Sequence, residues 1–208
     1  MRPLYRFGYV LCNLGYAGFF RGRVFGRRHV PLSGGVLLVC NHQSFLDPVL
    51  ATLALPRECH YMARDSLFAI PRLRWLIETL NAFPVRRGTA DVAAIKETLR
   101  RLKAGALITM FPEGTRTPDG SVQPMHSGAV LIARKAGVPI VPTAIMGAFE
   151  AWPRTARLPR PHPIIVAYDA PLLPDQLGEP DEAIEEIRLR IVRLMQRYGD
   201  GVRSRSPR

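Results

Sequence analysis

The chain has 208 residues, the size of one ordinary domain that can bury a core without disulfide or metal staples. Its hydrophobic share of 47% is typical of a globular protein and excludes a disordered, collagen-like or coiled-coil chain. Because 29 Lys and Arg residues face 17 Asp and Glu residues, the net charge of +12 favours a polyanionic partner such as nucleic acid, phospholipid headgroups or phosphorylated substrates. The cysteines Cys12, Cys40 and Cys59 have no CxxC spacing, so they indicate neither a disulfide framework nor a zinc site and fit a reducing, cytoplasmic setting.

Residues 1–23 form a segment rich in aromatic and basic side chains. Its apolar run is shorter than the ~20 residues that a spanning helix needs, and no small-residue cleavage site of a signal peptide follows it. The pattern indicates an amphipathic segment at a bilayer interface, with guanidinium groups on anionic headgroups. The aromatic residues assigned to the lipid are Tyr5, Phe7, Tyr9, Tyr16, Phe19 and Phe20. The alternative is a terminal helix docked on the core.

Residues 24–200 alternate between short apolar runs and helix-compatible stretches. Strands are predicted at 36–40, 58–62, 83–85, 106–111, 138–145 and 163–168, and helices at 48–55, 90–104, 127–136 and 182–198. This alternation predicts a single α/β domain with a mostly parallel sheet flanked by helices, in which loops at the strand ends host the chemistry. Residues 201–208 are predicted to form a flexible basic tail.

The segment Asn41–Asp47 contains a histidine and an aspartate five positions apart, His42 and Asp47. On one helix these positions would lie ~140° apart and could not meet. Between a strand ending near Cys40 and a helix beginning at Pro48, however, the segment is a connecting turn in which the two side chains can converge. The alternative is that Asp47 caps the helix and His42 is a polar loop residue.

The segment Phe111–Thr117 follows the strand at 106–111. Gly114 allows close approach of the backbone, and Arg116 offers a planar fork of donors that suits phosphate oxygens. Glu113 could position Arg116 or accept a hydrogen bond from a substrate hydroxyl. The alternative is a strand-end turn with a surface ion pair.

Two further segments stand out, although each also has a simple structural reading. Arg86 and Arg87 lie between a strand end and a helix start, where an anion could bind, but a solvated basic turn explains them equally well. The run 138–142, with Pro139 and Pro142, predicts a wall or an edge strand that could contact an acyl chain but carries no chemistry. The sequence has no nucleophile elbow, phosphate loop, dinucleotide fingerprint or His/Cys metal spacing.

Taken in this order, the four segments resemble the glycerolipid acyltransferase family, and most closely the 1-acyl-sn-glycerol-3-phosphate acyltransferases. The resemblance covers roughly residues 24–147, and its most specific feature is His-x4-Asp followed by Phe-Pro-Glu-Gly-Thr-Arg. It implies that His42 is the general base and that Asp47 orients its imidazole. The remaining site residues implied by the resemblance bind the acceptor or shape its site: Arg87, Glu113, Gly114, Thr115, Arg116 and Pro142.

The same resemblance implies the substrates and the setting. The acyl group would pass from acyl-CoA or acyl carrier protein to the sn-2 hydroxyl of 1-acyl-glycerol 3-phosphate, with Arg116 and Arg87 on the phosphate. No metal or redox cofactor is expected, and the partners would be the substrates and a phospholipid membrane surface on the cytoplasmic side, without nucleic acid.

Two other functions remain open at this point. The first is the same chemistry on a different acceptor, such as glycerol 3-phosphate, another lysophospholipid or a lyso-aminolipid. The second is a non-enzymatic basic protein that binds membranes or nucleic acid, although this would leave His42, Asp47 and the Glu113–Arg116 turn unexplained. Binding to nucleic acid should weaken steeply with salt.

Overall fold

The computed structural model describes residues 2–86 and 91–203, and these contain one seven-stranded sheet. The strands are β1 (Arg23–Phe25), β2 (Val36–Cys40), β3 (Cys59–Arg64), β4 (Ala82–Val85), β5 (Leu107–Met110), β6 (Ile140–Met146) and β7 (Ile165–Tyr168). Their order across the sheet is β1-β7-β6-β2-β5-β3-β4. All neighbouring strands are parallel except β6 and β7. The predicted α/β fold with a mostly parallel sheet is therefore confirmed.

Helices cover both faces of the sheet. They are α1 (Pro3–Gly18), α2 (Asp47–Leu50), α3 (Pro71–Thr79), α4 (Val92–Lys103), α5 (Gly128–Ala136), α6 (Ala148–Ala151), α7 (Pro180–Tyr198) and α8 (Asp200–Arg203). Residues of α4, α5 and α7 pack with Leu37 and Val39 on one face, whereas residues of α1 and α2 pack with Val36, Leu38 and Cys40 on the other. Because both faces of β2 are covered, this strand is apolar throughout and all five of its residues are buried.

The helix after Asp47 is shorter than predicted. It ends at Leu50, and residues 51–54 form turns that bring Ala54 to a φ of 66° before Pro56. Asp47 is the first helical residue rather than the cap, and no side chain caps this helix. The predicted helix over 48–55 was therefore too long. The alternative in which Asp47 caps this helix was wrong, because the carboxylate of Asp47 binds backbone N–H groups of the preceding turn instead.

Two other details also differ from the sequence prediction. Strand β6 lies between β2 and β7, so the segment with Pro142 is not an edge strand. Strand β1, a short strand that pairs with β7 at the edge of the sheet, was not predicted. Of the predicted tail, residues 201–203 belong to α8, and residues 204–208 lie outside the described residues.

Helix α1 has one face against the domain and another exposed to solvent. Tyr5 and Tyr16 are buried: the Tyr5 hydroxyl accepts the backbone N–H of Cys59, and the Tyr16 hydroxyl lies near two backbone carbonyls. These two rings contact the protein and not lipid, contrary to the prediction for them. Phe7, with two leucines, is at least 60% exposed. In the described part of the chain, no helix has both the length and the apolar character needed to cross a bilayer.

Candidate active site

The segments with catalytic residue types meet at one edge of the sheet. Strands β2, β5 and β6 are adjacent and parallel, so their carboxyl ends at Cys40, Met110 and Met146 lie together. The turn 41–47 follows β2, and the turn 111–117 follows β5. Such an edge is where α/β folds place their ligands, because loops there leave the sheet side by side.

His42 and Asp47 are in direct contact in this position. The Nδ1 atom of His42 lies 2.8 Å from Oδ2 of Asp47, and both residues are buried. The same Oδ2 accepts the backbone N–H groups of Gln43 and Ser44 at 2.5 and 2.6 Å. An oxygen that already accepts two N–H bonds is an acceptor for the ring as well, so Nδ1 carries the proton and the lone pair of Nε2 remains available.

The carboxyl of Asp47 is not accessible to solvent. Burial raises the pKa of Asp47, whereas the hydrogen bonds from His42 and from the backbone N–H groups of Ser44 and Gln43 oppose that rise. These bonds stabilise the charged form in place of water. On its other side the imidazole of His42 stacks on the ring of Phe111, with 4.3 Å between the ring centroids. The two contacts fix the plane of the imidazole.

The turn that carries His42 is anchored to the neighbouring strand and loop. The side-chain amide of Asn41 donates to the carbonyl of Ile145 at 2.9 Å and accepts the N–H of the same residue at 2.8 Å. The carbonyl of His42 accepts the N–H of Thr117 at 2.8 Å. No role was predicted for Asn41 from the sequence, although its position directly after a buried strand was a signal for one.

Glu113 binds the histidine turn through the backbone. Its Oε1 atom accepts the N–H of His42 at 3.0 Å, and the residue is 6% exposed. Burial raises the pKa of Glu113 to about 7, and the nearby charge of Asp47 adds to this rise. Glu113 is therefore a carboxyl that can hold or release a proton near neutral pH, next to the base candidate.

Arg116 and the glycine of its turn lie on the open side of the site. Gly114 has a φ of 72°, a backbone conformation that favours glycine, and Thr115 beside it is exposed. The guanidinium carbon of Arg116 lies 3.4 Å from the ring centroid of Phe45, a cation–π contact that orients the planar group. Phe45 was not singled out by the sequence, although it lies inside the His42–Asp47 segment.

Of the other predicted residues, one lies in the sheet and one lies outside the described residues. Pro142 is buried within β6, where it is paired with Val39 of β2, and so belongs to the sheet below the turns. Arg87 lies outside the described residues, so its predicted contact with phosphate stays a prediction. Its neighbour Arg86 donates its backbone N–H to Asp91, the residue that caps α4.

An apolar cavity of about 230 Å³ lies behind Asp47. Pro48 and Val49 of α2 line it together with Gly8 and Cys12 of α1 and Ile77 of α3. Since Pro48 directly follows Asp47, the cavity lies next to the residue that orients the candidate base. Its lining is suited to a hydrocarbon group.

The comparisons with known proteins agree with this geometry. The sequence profile of the Acyltransferase family matches residues 21–146. A chloroplastic 1-acyl-sn-glycerol-3-phosphate acyltransferase of Brassica napus is 34% identical over 138 residues, which is 65% of this chain and 40% of that protein. The enzyme of the same name from Bacillus subtilis is 33% identical over 126 residues, which is 60% of this chain and 62% of that protein. The chain thus spans less than two thirds of the length of these relatives.

A solved structure is similar along the whole chain. It is the crystal structure of the 1-acyl-sn-glycerophosphate acyltransferase PlsC from Thermotoga maritima, with a TM-score of 0.72 and 26% identity. The match covers 100% of this chain and 86% of that one. The fold, the profile over most of the chain and the relatives agree with the resemblance seen in the sequence: the chain belongs to the acyltransferase family.

Proposed function

We propose that the protein transfers a fatty acyl group from a thioester to the sn-2 hydroxyl of 1-acyl-glycerol 3-phosphate, giving phosphatidic acid. The observation that carries this proposal is the buried 2.8 Å contact between His42 and Asp47 at the edge where three parallel strands end. The printed names of the relatives from Brassica napus and Bacillus subtilis support the choice of acceptor.

In the proposed reaction, Nε2 of His42 takes the proton of the acceptor hydroxyl. The hydroxyl oxygen attacks the thioester carbonyl carbon, so that an ester C–O bond forms and the C–S bond breaks. The proton then passes from the imidazolium to the leaving thiolate. Asp47 stabilises the imidazolium, the role that a buried carboxylate on Nδ1 has in such pairs. A thioester is already activated, so this transfer requires no metal, redox cofactor or covalent acyl-enzyme.

The acceptor phosphate is proposed to bind Arg116, with Arg87 as a second group expected from the family resemblance. The contact between Arg116 and the ring of Phe45 presets the plane of the guanidinium, which reduces the freedom lost when it binds phosphate oxygens. Glu113, whose Oε1 accepts the backbone N–H of His42, is proposed to contact the glycerol hydroxyl.

The acyl chains and the membrane are proposed to meet the protein on the α1 side. The apolar cavity of about 230 Å³ between α1 and α2 suits the hydrocarbon next to the reacting carbonyl. On the outer face of α1, Phe7, Leu11 and Leu14 are exposed, and arginines lie nearby in the sequence. This face supports binding to an anionic membrane surface, for which we propose the cytoplasmic side.

The test compares His42→Ala with His60→Ala in a transfer assay with one acyl thioester. His60 is the matched control. It lies at the start of β3, at the amino ends of the parallel strands and therefore away from the edge that carries His42. We expect His42→Ala to lose roughly 10²–10⁴-fold in rate, Asp47→Asn to be severely impaired, and His60→Ala to remain active. Near-normal transfer by folded His42→Ala would refute the mechanism.

The acceptor is tested by presenting the same thioester with 1-acyl-glycerol 3-phosphate, glycerol 3-phosphate, other lysophospholipids and a lyso-aminolipid. Arg116→Lys should raise the KM for a phosphate-bearing acceptor and leave the KM for the thioester unchanged, because a lysine cannot form the planar two-donor contact. Preference for a non-phosphorylated acceptor would overturn the proposed substrate while leaving the proposed chemistry intact.

A further inference from the structure

A second cavity, of about 530 Å³, opens beside the histidine turn on the side of α7. One wall is the loop that contains Gly120, and another is the start of α6 with Glu150. The C-terminal half of α7 closes the third side with Val192 and Met195. Its size lies in the range of small-molecule sites, and none of the predicted site residues lines it.

Gln43 links this cavity to the candidate base. It is the chain neighbour of His42, it is 3% exposed, and its side chain lines the cavity. Its Nε2 donates to the carbonyl of Gly120 at 2.9 Å, which fixes the orientation of the amide. The other amide atom, Oε1, is buried and has no hydrogen-bond partner among the described residues.

A buried acceptor without a donor destabilises the free protein. It therefore indicates a ligand that brings an N–H or O–H group to this position. Because Oε1 can only accept, the ligand group that meets this atom must be a donor.

The charge of the cavity excludes the acceptor phosphate as that ligand. Asp119 and Glu150 line it, and the described lining residues include neither lysine nor arginine, although the chain carries 29 of them. The remaining lining is largely apolar, with Val122 and Met146 next to the two α7 side chains. The surface thus combines acceptors with apolar patches, which suits a neutral chain of amide N–H, hydroxyl and methyl groups.

We infer that this cavity binds the pantetheine arm of the thioester donor, with Oε1 of Gln43 accepting a hydrogen bond from a pantetheine amide. The inference rests on the proposed function, because the arm would place its thioester next to His42. Acyl-CoA and acyl carrier protein share this arm, so the cavity recognises what the two donors have in common. Acceptor and donor then approach the imidazole from different sides, the phosphate on the Arg116 side and the arm on the α7 side.

The experiment uses Gln43→Met in the full chain, with Gln176→Met as a matched control outside the cavity. Transfer is measured with acyl-CoA, with acyl-pantetheine and with an acyl thioester of a simple alkyl thiol that lacks the amides. In Gln43→Met we expect the KM for acyl-CoA and acyl-pantetheine to rise roughly three- to tenfold, the loss expected for one hydrogen bond. The KM for the alkyl thioester and for the acceptor should not change, and Gln176→Met should resemble the wild type.

Other outcomes would overturn the inference. Equal loss with all three thioesters would make Gln43 a structural residue of the turn, and a loss confined to acyl-CoA would place its nucleotide part in the cavity. A higher KM for an amine-bearing acceptor would assign the cavity to a cationic headgroup.

If the wild type transfers to no acceptor, the proposed function fails separately. Binding of an unreactive thioether analogue of acyl-CoA to the wild type and to Gln43→Met then decides the inference without turnover. Equal affinity of the two proteins would overturn it.

Discussion

Replacing Glu113 by glutamine should remove a pH-dependent loss of stability from the protein. Burial raises the pKa of Glu113 from its ordinary 4.5 to about 7. Between these two pH values the folded state keeps a proton that the unfolded state has lost, so the stability of the wild type falls as the pH rises through this window. Below pH 4.5 both states are protonated and the effect disappears. Glutamine does not titrate and can still accept the N–H of His42 through its Oε1.

The magnitude follows from the two pKa values. Each pKa unit corresponds to about 1.4 kcal/mol, so a carboxyl shifted from 4.5 to about 7 lowers the free energy of unfolding by at most about 3.5 kcal/mol above pH 7. The difference in stability between Glu113→Gln and the wild type should therefore change by about 2–3 kcal/mol, in favour of the variant, between pH 4.5 and pH 8.

Urea unfolding at several pH values measures this difference, and Glu185→Gln is the control. Glu185 is exposed, and its hydrogen bond with Arg188 lowers the pKa of Glu185. Its removal should therefore produce a small change of the opposite sign. A Glu113→Gln difference that stays constant within about 0.5 kcal/mol from pH 4.5 to pH 8 would refute the argument that burial controls this carboxyl.

Three further predictions concern the membrane face, the turn and one glycine. Leu11→Glu with Leu14→Glu should strongly reduce sedimentation with anionic vesicles without changing the free energy of unfolding, because both side chains are exposed; unchanged sedimentation would remove α1 from the membrane surface. Asn41→Ala should lower the free energy of unfolding by about 2–3 kcal/mol, since two buried backbone groups lose their partner. Thermal unfolding measures this loss, and a clearly smaller one would contradict the prediction. Gly26→Ala should destabilise by more than about 2 kcal/mol, because its φ is 68° and a Cβ would lie 2.0 Å from a backbone oxygen. Gly34→Ala, at a similar φ in open space, should have the smaller effect in the same measurement.

Much of the fold could be predicted from local patterns. The run Val36–Cys40 is apolar throughout because both faces of this central strand are covered, and Gly137 ends α5 in the left-handed conformation that glycine favours. The order of the strands is not visible in such patterns, since it depends on which helices pack on which face. Strand β1, with only three residues and Arg23 at its start, is too short to stand out from a loop.

The candidate site was predictable in its residue types and less so in its contacts. His42 and Asp47 could be identified because the family motif has a fixed spacing and because a turn was predicted between them. The partners of Asp47 could not be predicted, since a carboxylate at a helix start can bind the N–H groups on either side of it. Gln43 could not be singled out for a similar reason. Its Oε1 lacks a partner in a fold in which Nε2 donates to the carbonyl of Gly120, and the sequence does not show that contact.

The two bonds between the side chain of Asn41 and the backbone of Ile145 have a wider consequence. A side-chain amide has the same donor and acceptor groups as a peptide. The side chain of Asn41 therefore extends the hydrogen bonding between β2 and β6 by one more residue. The main chain can therefore leave the sheet at this point without depriving β6 of its partners. The histidine that follows Asn41 therefore keeps a fixed place relative to a buried strand.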